Sequence, residues 1–347
     1  MNFSNILIKW YLQNKRDLPW RNTTNPYPIW LSEIMLQQTR VAQGMPYFLS
    51  FTTAFPTVFD LAAANEEEVL KLWQGLGYYS RARNLHKTAQ YIASDLNGIF
   101  PGNYSDLLKL KGVGEYTAAA IASFSYNETV PVVDGNVFRV LSRYFDIETD
   151  IAQASAKKEF AALAFELMPK DNPATFNQAI MEFGALQCVP KSPNCGICIF
   201  NESCAALQKN KVDQLPVKSI KLKVRKRYFN FLVVADEMGN TIIQKRTDKG
   251  IWHNLYQYPL IETEKEEDFD FITERIKSDY FQDNTIISIL EDNDKSIIHK
   301  LSHQHLHIKF WKINVKGRIE NGINNSVLRT FPFPIVIYNF IEKELQT

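Results

Sequence analysis

Apolar residues recur at three- and four-residue spacing along most of the chain, then give way to alternation. Ile6, Leu7, Trp10 and Tyr11 share one face of a helix predicted over residues 1–20, ending near Leu18, Pro19 and Trp20. A loop follows, rich in turn residues (Asn22, Thr23, Thr24, Asn25, Pro26, Pro28), and then a helix from Ile29 to Thr39. Further helices are predicted over 58–63, 66–74, 80–97, 136–145, 153–168 and 173–184, with helical segments on both sides of Lys111–Gly114. Short helices in this number suit a globular all-α module. From Tyr228 the pattern changes. Strands are predicted at Tyr228–Ala235, Thr241–Lys245, Ser296–His299 and Leu306–Ile313, with helices near 268–280 and 334–345 and an acidic loop or insert at Glu262–Asp270. The fold class is a mainly α region followed by an α+β domain.

Length and composition agree with this division. A chain of 347 residues with 45% hydrophobic and 22% charged residues can build two cores. No apolar run approaches a membrane span, and the N-terminus has helical spacing rather than the unbroken core of a signal peptide. A cytoplasmic protein with no membrane partner is expected. The net charge of +1 hides an asymmetry: residues 1–227 hold 25 Lys and Arg against 20 Asp and Glu, while the remainder holds 14 against 18. A basic first part is compatible with DNA binding. All four cysteines fall in one window, Cys188, Cys195, Cys198 and Cys204. Such clustering without a secretion signal points to a metal site rather than disulfides. Only one C-x2-C pair is present, so the spacing favours a [4Fe–4S] cluster over a zinc ribbon.

Candidate chemistry lies in the first part. Gly112 and Gly114 form a turn between helices, which either presents backbone N–H groups and a helix N-terminus to a phosphate or only permits tight packing. Asp134 stands just before the next helix, where backbone amides should keep it ionised. Glu33 is the one charge of its helix, with Ile29, Trp30 and Leu36 around it. Those neighbours leave little of the helix for a solvent face, so desolvation should raise its pKa. Gly75–Arg81 combines glycines, Tyr78, Tyr79 and an arginine. It suits a loop that wedges into a duplex and touches phosphate, although the fragment alone also describes a helix C-cap with a core tyrosine. Residues 209–227 form a basic connector in which Lys211, Lys218, Lys221, Lys223, Arg225, Lys226 and Arg227 face only Asp213. It reads as a phosphate-tracking linker or a solvated tether. His303, His305 and His307 alternate without a nearby carboxylate or cysteine and read as surface or DNA-facing residues.

In this order the pieces resemble the helix–hairpin–helix DNA glycosylase superfamily, and within it the adenine DNA glycosylases of the MutY type. The resemblance is carried by Leu31–Arg40, Gly75–Asn84, Leu110–Ala118, Val133–Val140 and the four cysteines, and more weakly by Gly250–Pro259 and Leu301–His303. It spans nearly the whole chain. It implies a catalytic region over residues 1–208, with a six-helix barrel at about 20–130 and a cluster-bearing lobe from 1–19 and 131–208. A basic linker (209–227) and a Nudix-like lesion-recognition domain (228–347) follow. No REx2EExG-like pattern of paired glutamates occurs in residues 250–280, so this domain should recognise rather than hydrolyse.

The resemblance further implies a monomer that acts on duplex DNA carrying adenine opposite 8-oxoguanine or guanine, with the adenine flipped out before chemistry. Glu33 would be the general acid, protonating the ring at N7. Asp134 would stabilise the sugar cation or bond to it transiently, with Tyr116 near the sugar and Asn136 positioning water or Asp134. Gln38, Thr39, Arg40, Leu76, Tyr78, Arg81, Gly112 and Gly114 would contact DNA, with Tyr78 as the wedge at the mismatch. Ser302 would read the 8-oxoguanine edge beside His303, and Leu301 stands where the family usually has phenylalanine. The bifunctional endonuclease III branch has a lysine in the hairpin, which forms a Schiff base and cuts the strand. Here Tyr116 occupies that position, which implies hydrolysis alone. The two rival readings are a glycosylase/lyase of that branch and a non-enzymatic protein that only binds damaged DNA.

Overall fold

The structure is a computed structural model that describes residues 2–219, 224–281 and 285–346. In chain order the helices of the first part are α1 (Phe3–Asn14), α2 (Pro26–Met35), α3 (Val41–Ala54), α4 (Val58–Ala63), α5 (Glu66–Leu72) and α6 (Ser80–Asp95). They continue as α7 (Tyr104–Leu107), α8 (Glu115–Tyr126), α9 (Gly135–Phe145), α10 (Ala154–Leu167), α11 (Pro173–Leu186) and α12 (Ala205–Gln208). Two helices start or stop away from the expected positions. Helix α1 ends at Asn14 because Lys15 turns extended, and Pro19–Arg21 forms a separate 3-10 turn. Helix α2 begins at Pro26 rather than Ile29. Asn25 caps it through Tyr27 N at 3.0 Å, and proline at the first helical position loses no hydrogen bond. It also stops at Met35, leaving Gln37–Thr39 in a turn in which Gln38 has φ 57°. Helix α3 was not expected, since Gly44 and Pro46 break its helical signal.

The chain divides into two compact units, residues 1–63 with 84–220 and residues 64–83 with 221–347. In the first, α1 lays Leu7 and Tyr11 against Phe176, Ile180 and Phe183 of α11 and Val140 and Leu141 of α9. Each such side chain, fully buried, contributes roughly 1.5–3 kcal/mol. Helix α8 buries a run of small residues, Ala118–Ala122 with Ile121 among them, which lets α2 pack closely against it. The connector is held to this unit as far as Ser219: Ile151 N donates to Val217 O at 3.0 Å, Ser219 bonds Asp150, and Lys211 pairs with Asp146 and Glu148. Among the described residues no helix is long and apolar enough to cross a membrane.

The second unit is built on a mixed sheet. Its strands are β1 (Arg225–Ala235), β2 (Asn240–Thr241), β5 (Leu260–Thr263), β6 (Ile286–Glu291), β7 (Ile297–Lys300), β8 (Gln304–Val315) and β9 (Ile323–Asn324), while β3 (Gln244–Lys245) and β4 (Tyr256–Gln257) pair as a separate hairpin. The long strands β1 and β8 pair in parallel, with Phe229 beside Ile308 and Phe231 beside Phe310. Helices α13 (Phe269–Asp279) and α14 (Ile335–Glu344) complete the domain, where α13 covers Leu232, Trp311 and Ile313. Three expectations need correction. Arg225–Arg227 are the first residues of β1 and not linker, and Arg227 pairs with Glu262 at 2.6 Å. Glu262 in turn lies in β5, not in a loop. Lys221 and Lys223 of the expected connector lie outside the described residues. Residues 64–83 were expected within a helical barrel, but their contacts group them with this unit. Glu67 bonds Lys245 and Tyr256, and Arg83 Nη1 donates to His253 O at 2.8 Å.

Candidate active site

The first unit holds a cavity of about 580 Å³, and both singled-out carboxyl groups line it. Glu33 sits in the last turns of α2 and is 7% exposed. The apolar faces of α2 and α8 exclude water from it, and burial pushes its carboxyl up to about 7. The Tyr116 hydroxyl donates to Glu33 Oε2 at 2.6 Å, which opposes that rise, while the nearby Asp134 charge adds to it. Tyr116 itself is pushed well above the ordinary phenol range, first by burial and then by the two carboxylates.

Asp134 is the N-cap of α9. Its Oδ1 accepts from Asn136 N and Val137 N, both at 2.8 Å, and its Oδ2 accepts from Asn136 Nδ2 at 2.7 Å. The amides were expected to dominate its titration. Burial instead is the largest influence and moves the carboxyl upward, against the three donors that favour the anion. Asn136 is thus bonded to Asp134, one of its two expected partners. Its Oδ1 accepts from Arg139 Nη2 at 2.8 Å, and Arg139 also donates to Gly184 O and to Cys188 O. Gly184 of α11 lets this cap approach: a Cβ there would stand 2.6 Å from Asn136 Cβ and 3.0 Å from Asn136 O.

The hairpin separates the two readings of its glycines. Gly112 has φ +76°, and a Cβ there would meet Asn84 Cβ at 2.7 Å, so it serves packing and turn geometry. Gly114 caps α8 with no side-chain hydrogen bond, and a Cβ there would meet nothing within 4 Å. The turn is therefore open on its Gly114 side, and no side chain caps the start of α8. Thr39 and Arg40 line the cavity, whereas Gln38 is exposed in the turn that follows α2.

Four residues of the cavity wall were not expected. Glu182 is fully buried; it accepts from Arg16 N, Nε and Nη2 and from Arg21 Nη2 at 2.6–3.0 Å. Burial alone would raise it, but the two guanidiniums outweigh that and hold its carboxyl at about 2. Gln178 lines the same wall and accepts from the Tyr11 hydroxyl. The signal was present: Glu182 is a lone charge in an apolar helix, the criterion that singled out Glu33.

Cys188, Cys195, Cys198 and Cys204 line one small pocket beside α9. Arg143 Nη1 donates to Cys188 Sγ and Phe200 N donates to Cys198 Sγ, both at 3.4 Å. Burial pushes the Cys198 thiol up to about 11 and raises Cys195 and Cys204. Among the described residues no three His, Cys, Asp or Glu side chains converge tightly enough to hold a metal ion. The soft donor set and its N–H···S contacts fit a thiolate-bound group.

In the second unit, Leu76, Tyr78, Ser302 and His303 line a cavity of about 400 Å³. The Tyr78 and Ser302 hydroxyls are bonded to each other. Tyr78 is 44% exposed, but Leu76 is 5% exposed and belongs to the core of this unit. Arg81 is turned inward: its Nη2 donates to Leu76 O and Gly77 O, so it faces the loop's own backbone and not solvent phosphate.

Known proteins resemble this chain in sequence and in fold. Residues 31–166 match the HhH-GPD superfamily base excision DNA repair proteins, and residues 230–343 match the NUDIX domain. The adenine DNA glycosylase of Buchnera aphidicola subsp. Acyrthosiphon pisum (strain APS) is 37% identical over 88% of this chain and 85% of its own length. That of Homo sapiens is 42% identical over 61% of this chain and 41% of its own. Among solved structures, a thermostable thymine-DNA glycosylase superposes with TM-score 0.54 at 29% identity, covering 60% of this chain and 95% of its own. With a relative of that identity matched along most of both lengths, this chain belongs to the adenine DNA glycosylase family.

Proposed function

We propose that the protein removes adenine mispaired with 8-oxoguanine or guanine from duplex DNA by hydrolysing its N-glycosidic bond, without cutting the strand. Family membership carries the removal of adenine. The observation that supports the chemistry is the pair in one cavity: a buried Glu33 that keeps its proton near neutral pH, and an Asp134 whose oxygens are fixed by three N–H donors.

Cleavage of the glycosidic bond leaves electrons on adenine and positive charge on the sugar. With Oε2 taken by the Tyr116 hydroxyl, Glu33 carries its proton on Oε1 and passes it to the departing base. Asp134 stabilises the oxocarbenium-like sugar, and water completes the abasic product. The open side of Gly114 and the uncapped start of α8 suit a backbone phosphate. Tyr78, Ser302 and His303 would meet the 8-oxoguanine, and the Nudix domain would recognise rather than hydrolyse. Cys188, Cys195, Cys198 and Cys204 would hold a [4Fe–4S] cluster, which supplies a cross-link for the segment beside α9.

Base release from duplexes with adenine opposite 8-oxoguanine, guanine or thymine tests the reading. Release from the first two is expected, and no release opposite 8-oxoguanine sinks it. Among the described residues that line the cavity there is no lysine, so borohydride should trap little covalent complex. Trapping as strong as a true lyase gives would instead favour the bifunctional reading. Gly184→Ala forces a methyl group into Asn136. It should destabilise the protein by about 1–3 kcal/mol and slow base release at least about tenfold, read by thermal melting and single-turnover kinetics.

A further inference from the structure

We propose that Arg81 is a positioning residue, which holds the loop Gly75–Tyr79 in shape from inside the protein and so presents the Tyr78 ring to the duplex. Its Nη2 donates to Leu76 O at 3.4 Å and Gly77 O at 3.2 Å. Trp73 Nε1 donates to the same Gly77 O at 2.9 Å. The guanidinium carbon lies 5.4 Å from the centroid of the Trp73 ring and 5.4 Å from that of Tyr78. One planar cation thus bridges two aromatic faces and two carbonyls, a task that suits a guanidinium and not an ammonium.

The loop needs such a brace. Tyr78 has φ +49°, in the left-handed region that a bulky side chain enters only at a cost of order 1–3 kcal/mol. Tyr78 is also 44% exposed, and the Arg81 guanidinium lies against its ring. Arg81 N donates to Tyr78 O at 2.8 Å, which ties the strained residue to the first turn of α6. Burial pulls the Arg81 guanidinium down to about 10, as suits a cation partly withdrawn from water. A phosphate-binding arginine would stand in solvent and shed counterions on binding.

The inference rests on the reading of Tyr78 as the wedge, and the test separates the two. Single-turnover adenine release opposite 8-oxoguanine is measured for Tyr78→Leu, Arg81→Lys, Arg81→Met and the Tyr78→Leu/Arg81→Met double variant, with binding followed against salt. Arg81→Lys should be slowed about tenfold or more despite its retained charge, and Arg81→Met should leave the salt slope of binding unchanged. The double variant should be no slower than Tyr78→Leu alone. If Arg81→Met does not fold, Arg81→Lys takes its place in the cycle. Parent-like turnover of Arg81→Lys, a salt slope reduced by about one, or additive losses beside a slow Tyr78→Leu each overturn the brace alone. Parent-like turnover of Tyr78→Leu overturns the wedge and the brace together.

Discussion

Glu33→Gln is expected to abolish adenine release while mispair binding and the fold survive. Glutamine fills the same volume and can still accept from Tyr116, but it has no proton to give. A general acid contributes about 10²–10⁴-fold, so the loss should fall in that range. The acid form dominates below about pH 7, because burial raises the carboxyl to about 7. The single-turnover rate should therefore fall as pH rises through 7, and a rate that climbs across that range would contradict the assignment. Stability should move the other way in the variant. A carboxyl raised from 4.5 to about 7 binds its proton more tightly when folded, so the parent loses stability as pH climbs from the lower value through the higher. Glutamine has no such penalty. At pH 8 the variant should melt higher than the parent, by an amount on the order of 3 kcal/mol at most.

Asp134→Asn is expected to remove charge while keeping the helix cap. Asparagine and aspartate rank alike at this position, and the amide oxygen can still accept from Asn136 N and Val137 N. Its new NH2 would face Asn136 Nδ2, donor against donor. Asn136 is not free to flip, since its Oδ1 is held by Arg139 Nη2 at 2.8 Å. A stability cost of about 1 kcal/mol follows, together with a rate loss of about 10²–10³-fold from the missing anion. The pH profile supplies an independent check. Burial accounts for most of the rise at Glu33, but Asp134 adds to it. The residual activity of the variant should therefore decline at lower pH than that of the parent. An unmoved alkaline limb would mean that the two carboxyl groups do not share one electrostatic site.

Much of this is legible in the amino-acid sequence. Glu33 stood out as a lone charge among apolar neighbours, and burial between α2 and α8 gives that pattern its physical meaning. The helices from α9 to α11 follow their apolar spacing to within a residue or two. Three things were hidden for identifiable reasons. Helix α3 carries Gly44 and Pro46, so tertiary packing overrides local propensity there. The titration of Asp134 depends on how deeply its helix start is buried, which capping chemistry alone does not reveal. The inward turn of Arg81 arises from the loop's backbone geometry at Gly77 and Tyr78, which the residue types alone leave open.

The clasp of Arg16 and Arg21 on Glu182 also sets an order of events during synthesis. Arg16 and Glu182 are 166 residues apart, so the N-terminal helix leaves the ribosome long before its partner exists. Until α11 has emerged, Leu7 and Tyr11 have no α11 surface to cover them, and the cavity lacks a wall. A nascent chain stopped short of Leu186 would present that apolar face to chaperones. The apolar face of the first helix thus gains its full cover only when the unit closes, late in the birth of the molecule.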